Sequence, residues 1–177
     1  MDYHGTTILG IVRDGYAVIA GDGQVTLGEM ILKSNASKIR YLAEGEVLAG
    51  FAGAAADGLA LLGRFEEKLA EHNDLLRAAV ELAKDWRTDK YLRRLEAELA
   101  VLDTRRALIL TGAGDILEPE DGIVAIGSGS GYALAAARAM LRYGKKMDIS
   151  EIAKKSVEIA AEICIYTNSN IKVLELK

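Results

Sequence analysis

The chain has 177 residues, 50% apolar and 27% charged, with a formal net charge of −4. This length suits one domain with a substantial core, and the composition excludes a disordered chain. The acidic balance and the lack of any basic run interleaved with aromatics argue against nucleic acid as a partner. A single cysteine, Cys164, excludes an internal disulfide framework and a cysteine-rich zinc site. No apolar run reaches the roughly 18 residues of a membrane helix, so no membrane contact is expected. The opening Met1-Asp2-Tyr3-His4-Gly5 lacks the pattern of a secretory leader, so a soluble cytoplasmic protein is expected.

In chain order, residues 6–12 and 16–20 read as strands joined by Arg13-Asp14-Gly15, in which Asp-Gly is a hairpin signal. A turn, Gly21-Asp22-Gly23-Gln24, follows, then a short apolar stretch ending at Lys33. A second strand pair, 38–42 and 47–52, is joined by Ala43-Glu44-Gly45-Glu46. From Ala54 to Glu71 apolar residues recur every three or four positions, at Leu59, Leu62, Phe65 and Leu69, which is the helical period. Asn73 or Asp74 can cap a second helix through Leu75, Val80 and Ala83. The charged segment 85–99, with Trp86, Leu92 and Leu95, reads as further helix. Short strands at 107–111, 115–117 and 123–126 precede helices at 132–143 and 149–164 and a last strand at 171–176. Strands and helices come in blocks, which points to an α+β fold: an αββα sandwich of two antiparallel sheets between helix layers.

Candidates for chemistry are few. The two histidines, His4 in an expected frayed N-terminal tail and His72 between two helices, are not placed for a Ser-His-Asp site. Gly127-Ser128-Gly129-Ser130-Gly131 resembles a phosphate cradle only weakly, because no acidic residue follows at the spacing a nucleotide fingerprint needs. Ser128 could be a nucleophile, but it lacks the strict G-x-S-x-G elbow and reads equally well as a structural turn. Lys33 and Lys38 could be solvent-facing strand lysines, and Asp22 an ordinary turn aspartate.

Taken together, several stretches resemble the HslV peptidases, the bacterial proteasome-like threonine proteases. They are Gly5-Thr6-Thr7-Ile8, residues 20–28 (AGDGQVTLG), 48–53 (LAGFAG), 79–88 (AVELAKDWRT), 125–129 (AIGSG) and 162–168 (EICIYTN). The resemblance covers nearly the whole chain and implies an N-terminal-nucleophile hydrolase fold. It further implies that residues 1–5 are a propeptide, that residues 6–177 form the peptidase domain, and that Thr6 is the nucleophile once it becomes the N-terminus. Asp22 and Lys38 fall on the family's catalytic aspartate and lysine, Gly50 on its oxyanion-hole glycine, and Ser128 on a serine beside the nucleophile. Backbone carbonyls of Ala161, Cys164 and Thr167 fall on a site for a structural monovalent cation, Na+ in expectation. Two positions depart from the family: Ala161 stands where glycine is frequent, and Gly129-Ser130-Gly131 where Gly-Gly-Pro is frequent.

The chemistry suits these residues. A threonine hydroxyl needs a base, and a free α-amine with a reference pKa of about 7.7–8.0 can serve. Lys38 as a cation would favour the neutral amine, Asp22 would hold Lys38 in place and charged, and a glycine N–H would stabilise the tetrahedral oxyanion. No cofactor is expected for catalysis. The resemblance implies a particle of two stacked hexameric rings, unfolded polypeptide substrates, and an AAA+ unfoldase ring as the partner that alone uses ATP. Two alternatives stand beside this reading: a catalytically silent ring subunit that never exposes Thr6, and a serine-lysine hydrolase built on Ser128 and Lys38.

Overall fold

The computed structural model describes residues 3–144 and 146–177, and for Tyr3 and His4 it describes the backbone only. Strands β1 (Tyr3–His4), β2 (Thr7–Arg13), β3 (Tyr16–Gly21), β4 (Val25–Leu27), β5 (Met30–Lys33), β6 (Ile39–Leu42) and β7 (Val47–Gly53) come first. Helices α1 (Ala55–His72) and α2 (Leu75–Thr88) follow, then β8 (Ala97–Leu102), β9 (Ala107–Leu110), β10 (Ile116–Leu117) and β11 (Ile123–Gly127). Helices α3 (Ser130–Tyr143) and α4 (Ile149–Ile163) and strand β12 (Lys172–Leu176) complete the chain.

Two antiparallel sheets stack face to face. One runs β10-β9-β8-β7-β6 and the other β11-β2-β3-β12, while β1-β4-β5 form a small third sheet. Strand alternation divides the core into three layers. On β7, Val47, Ala49 and Phe51 face α1 and α2, where Leu61, Phe65, Leu82 and Trp86 are buried against them. Leu48 and Ala52, on the opposite face, meet Ile8, Ile19 and Val124 between the sheets. The outer face of the second sheet, with Leu9, Ile11, Val18 and Ala20, is covered by Ala133 and Ala137 of α3 and by Ile152 and Val157 of α4. The αββα sandwich expected from the block order is therefore the observed fold.

The helix-end signals resolve into distinct roles. Asp74 is the N-cap of α2, its carboxylate accepting from the Arg77 N–H at 2.8 Å. Asn73 instead ends α1 in the left-handed conformation, φ 49°. The largest departure lies in residues 85–99. Helix α2 stops at Thr88, a 3₁₀ turn spans Leu92–Arg94, and Ala97–Leu102 is a strand in the middle of its sheet. Its residues are good helix formers, and both its faces are buried: Leu99 and Val101 toward α1 and α2, Ala100 and Leu102 toward the other sheet. A strand buried on both faces loses the period-two signature, so packing between β7 and β9 overrides local preference here. His4, expected in a frayed tail, lies in β1 opposite Thr26 of β4.

The α1–β7 contact is tight at Gly58, where a Cβ would come within 2.0 Å of the Phe51 ring. Gly58→Ala should cost about 1–3 kcal/mol through overpacking. Thermal unfolding followed by circular dichroism should show a midpoint several degrees lower; an unchanged midpoint would mean that the ring shifts freely.

Candidate active site

The site forms where the start of β2, the turn after β3 and the segment before β6 converge. Asp22 is its buried anchor, 2% exposed. Its carboxylate accepts three backbone N–H groups: Thr7 at 2.7 Å, Gln24 at 3.0 Å and Asn168 at 3.2 Å. Gln24 is fixed in turn by side-chain hydrogen bonds to Thr26 Oγ1 (3.0 Å) and the Ile165 carbonyl (2.8 Å). The Gly-Asp-Gly-Gln turn is thus held at both ends, and its Gln24 carbonyl faces Lys38.

Lys38 lies just before β6 and is 6% exposed. Its Nζ donates to the carbonyl oxygens of Gly5 and Gln24, and Thr6 Oγ1 donates to the same Gly5 oxygen. Burial lowers the Lys38 pKa from 10.5 to about 8, with the Asp22 charge opposing the shift. Asp22 was expected to hold Lys38 in place and charged, but no hydrogen bond joins their side chains. Instead it spends its lone pairs on backbone donors and acts on Lys38 through its charge. Lys33 is exposed at the end of β5, so the two lysines do not share one strand, and their difference is one of burial.

Thr6 is 3% exposed. Its carbonyl accepts the Ser128 N–H at 2.9 Å, and both residues line a cavity of about 450 Å³. Gly127 makes this approach possible: its φ is +90°, and a Cβ there would lie 2.2 Å from the Thr6 oxygen. The glycine-serine turn therefore serves to seat Ser128 against Thr6.

Gly50 is not at the site. It sits mid-strand in β7, paired with Ile39 and Ala100, and a Cβ would lie 2.9 Å from Ile8 Cδ1 and 3.0 Å from Ile39 Cγ2. Its smallness lets the two sheets approach. Gly53, three residues on, lines the Thr6 cavity. Phe51 donates its N–H to the Lys38 carbonyl (3.2 Å), and ladder alternation points the Gly53 N–H to the same edge, past the start of β6. Sequence reading missed Gly53; the signal available was its place between a strand end and a helix start.

Ala161 lies in the last turn of α4, where helix geometry leaves carbonyls without in-helix partners. Cys164 is the C-cap residue, and its carbonyl accepts the Thr167 N–H at 3.0 Å. Thr167 Oγ1 meets Thr7 Oγ1 at 2.7 Å, which joins this helix end to the residue after Thr6. These carbonyls are hard oxygen donors near the negative end of a helix, the donor type that hard cations take.

Fold and site together define a class: an αββα hydrolase with a threonine, a buried lysine and an aspartate at the sandwich's edge. The comparisons agree. Residues 2–176 match the Proteasome family, described as proteasome subunit. The chain is 59% identical over 172 residues to the ATP-dependent protease subunit HslV of Chlorobium luteolum, covering 97% of this chain and 94% of that one. The crystal structure of eukaryotic HslV from Trypanosoma brucei matches with a TM-score of 0.91 and 45% identity, over 97% of this chain and 99% of that one. Thiobacillus denitrificans BPH in complex with epoxomicin shares the fold, with a TM-score of 0.76 and 22% identity over 97% and 98% of the two chains. The chain belongs to the proteasome family and, within it, to the HslV threonine peptidases. Among the described residues no helix is long and apolar enough to cross a membrane.

Because the Asp22 charge raises the Lys38 pKa, Asp22→Asn should move the Lys38 titration below pH 8. NMR of lysine-labelled protein would read the midpoint; a midpoint that stays put would show that the carboxylate is not felt at Nζ.

Proposed function

We propose that this chain is the peptidase subunit of an ATP-dependent protease and that Thr6, once freed of residues 1–5, is its nucleophile. The observation that carries this reading is the double hydrogen bond to the Gly5 carbonyl oxygen, from Thr6 Oγ1 and from Lys38 Nζ. A carbonyl polarised by a buried ammonium and touched by the neighbouring hydroxyl is set for attack by that hydroxyl. Thr6 Oγ adds to the Gly5 carbonyl carbon, and the Gly5–Thr6 C–N bond breaks. The acyl group passes to oxygen as an ester, and the Thr6 nitrogen takes up a proton. Water then hydrolyses the ester, leaving a carboxylate on Gly5 and a free α-amine on Thr6.

That amine is the base of the mature enzyme. It takes the Thr6 hydroxyl proton as Oγ attacks a substrate carbonyl, and returns a proton to the departing amine. Lys38 keeps the amine neutral and stabilises charge at the attacked carbonyl. Asp22 supports that charge and fixes the turn, and Ser128 lies beside the nucleophile. The Gly53 N–H takes the oxyanion role first expected of Gly50, supported by its place on the Thr6 cavity. Carbonyls of Ala161, Cys164 and Thr167 would hold a cation that braces the loop carrying the Asn168 N–H onto Asp22.

The name of the Chlorobium luteolum relative supports an ATPase partner. We assign this chain a separate AAA+ unfoldase ring, an assembly of two stacked hexameric rings, unfolded polypeptide substrates and a cytoplasmic setting. The silent-subunit alternative lacks support, since Gly5, Thr6 and Lys38 already make the contacts that cleavage needs.

Thr6→Val should retain residues 1–5 by mass spectrometry and lose peptidase activity by several orders of magnitude, whereas Thr6→Ser should keep part of both. A Thr6→Val protein within about tenfold of wild type would overturn the assignment. Gly5 has φ +121°, and a Cβ there would meet the Gln24 oxygen at 3.0 Å, so Gly5→Ala should slow processing. Because Lys38 is needed as a cation, processing should also slow as pH rises through about 8. A mass-resolved time course from pH 6.5 to about 9.5 tests both expectations; a rate that climbs across this range would make neutral Lys38 the base instead.

A further inference from the structure

Two cavities meet at the Gly5–Thr6 bond, and they differ in charge. The smaller, about 190 Å³, is lined by Gly5, Val25, Lys33, Lys38, Phe51 and Leu59 among others. It lies on the acyl side, where the residue before Gly5 runs beside β4. The larger, about 450 Å³, contains Thr6, Ser128, Gly53, Glu96 and Glu98 and has no lysine or arginine in its lining. Among the described residues neither Glu96 nor Glu98 takes part in an ion pair within 4.0 Å.

Glu98 is the better placed of the two. It stands on β8, a central strand, and is half-buried. Its Oε2 accepts the Gly127 N–H at 3.3 Å, which holds the carboxylate next to the turn that seats Ser128 against Thr6. One weak backbone donor leaves most of its acceptor capacity free and its negative charge uncompensated. Glu96 is exposed at the mouth of the same cavity.

We infer that the cavity carrying Glu98 receives the residue on the leaving-group side of the scissile bond and selects a basic side chain there. This rests on the threonine chemistry proposed above. With the acyl part of a substrate in the place of Gly5, alongside β4 and Lys38, the leaving amine emerges toward Thr6 and Ser128. A lysine or arginine in that position finds two carboxylates and no competing cation, while an aspartate or glutamate meets like charge in a partly desolvated space. Glu98 is here a specificity-determining residue and takes no part in bond breaking.

The test is cleavage of internally quenched peptides by the assembled protein, with its ATPase partner present. The peptides differ only in the residue after the scissile bond: lysine, alanine or glutamate. Wild type should favour lysine over glutamate in kcat/KM by three- to tenfold, roughly 0.6–1.4 kcal/mol, and the preference should shrink at about 1 M salt. Glu98→Gln keeps an oxygen for the Gly127 N–H and should bring the three peptides within about twofold of one another. A matched series varied before the bond should respond equally in wild type and variant. A lysine preference that survives in both Glu98→Gln and the Glu96→Gln, Glu98→Gln double variant overturns the inference, as does wild type that ignores charge. Protein that cleaves none of the peptides, yet folds and assembles, would count against the threonine chemistry itself.

Discussion

A buried carboxylate has to be met by donors, and the Asp22 side chain meets that demand with three backbone N–H groups, one from its own turn and two from elsewhere in the chain. Thr7 brings the start of β2, Gln24 the turn after β3, and Asn168 the loop after α4. Thr6 is placed because Thr7 is held, and the Gln24 carbonyl faces Lys38 because the turn is held. The same charge limits how far burial can lower the Lys38 pKa. One anion therefore fixes the position of the site and favours the charged form of Lys38, and its loss would be felt in each.

The sandwich supplies what the anion cannot: rigidity on the other side of Thr6. Residues of β11 pair with β2 in register from Ile123 opposite Ile11 to Gly127 opposite Thr7, so the turn bearing Ser128 arrives at Thr6 through ordinary strand pairing. Thr7 Oγ1 adds a second tie, accepting the Gly129 N–H at 2.9 Å and meeting Thr167. A threonine pair buried between a strand and the loop after α4 thus couples that loop to the residue next to Thr6.

The stacked sheets and helix layers were legible, though not the strand order or β8, because their signals are local: Asp-Gly at the first hairpin, apolar spacing in α1, and a cap at Asn73 or Asp74. Of the site, Thr6, Asp22, Lys38 and Ser128 were singled out through the family resemblance, Lys38 lying outside its quoted stretches, and they lie close together in the structure. Gly50 and Gly53 could not be told apart by motif, since both lie in one glycine-rich strand. The difference is which way each faces, and only the stacking of Ile8 and Ile39 on Gly50 reveals it. Glu98 was illegible for another reason: a glutamate in a helix-like run reads as solvated surface until β8 is known to be a strand beside the cavity.

That strand has a consequence for how the chain reaches its native state. Ala97–Leu102 prefers helix locally and becomes extended only with β7 on one side and β9 on the other. β9 follows it through a short turn at residues 103–106, where Asp103 N–H meets the Arg106 carbonyl at 3.1 Å, whereas β7 precedes it by two helices. The β8–β9 hairpin is local, so the late step is its docking on β7, after the two intervening helices have been drawn in. The strands of this sheet should also let go together, so that hydrogen exchange across β7, β8 and β9 would report one shared opening event, not separate fraying.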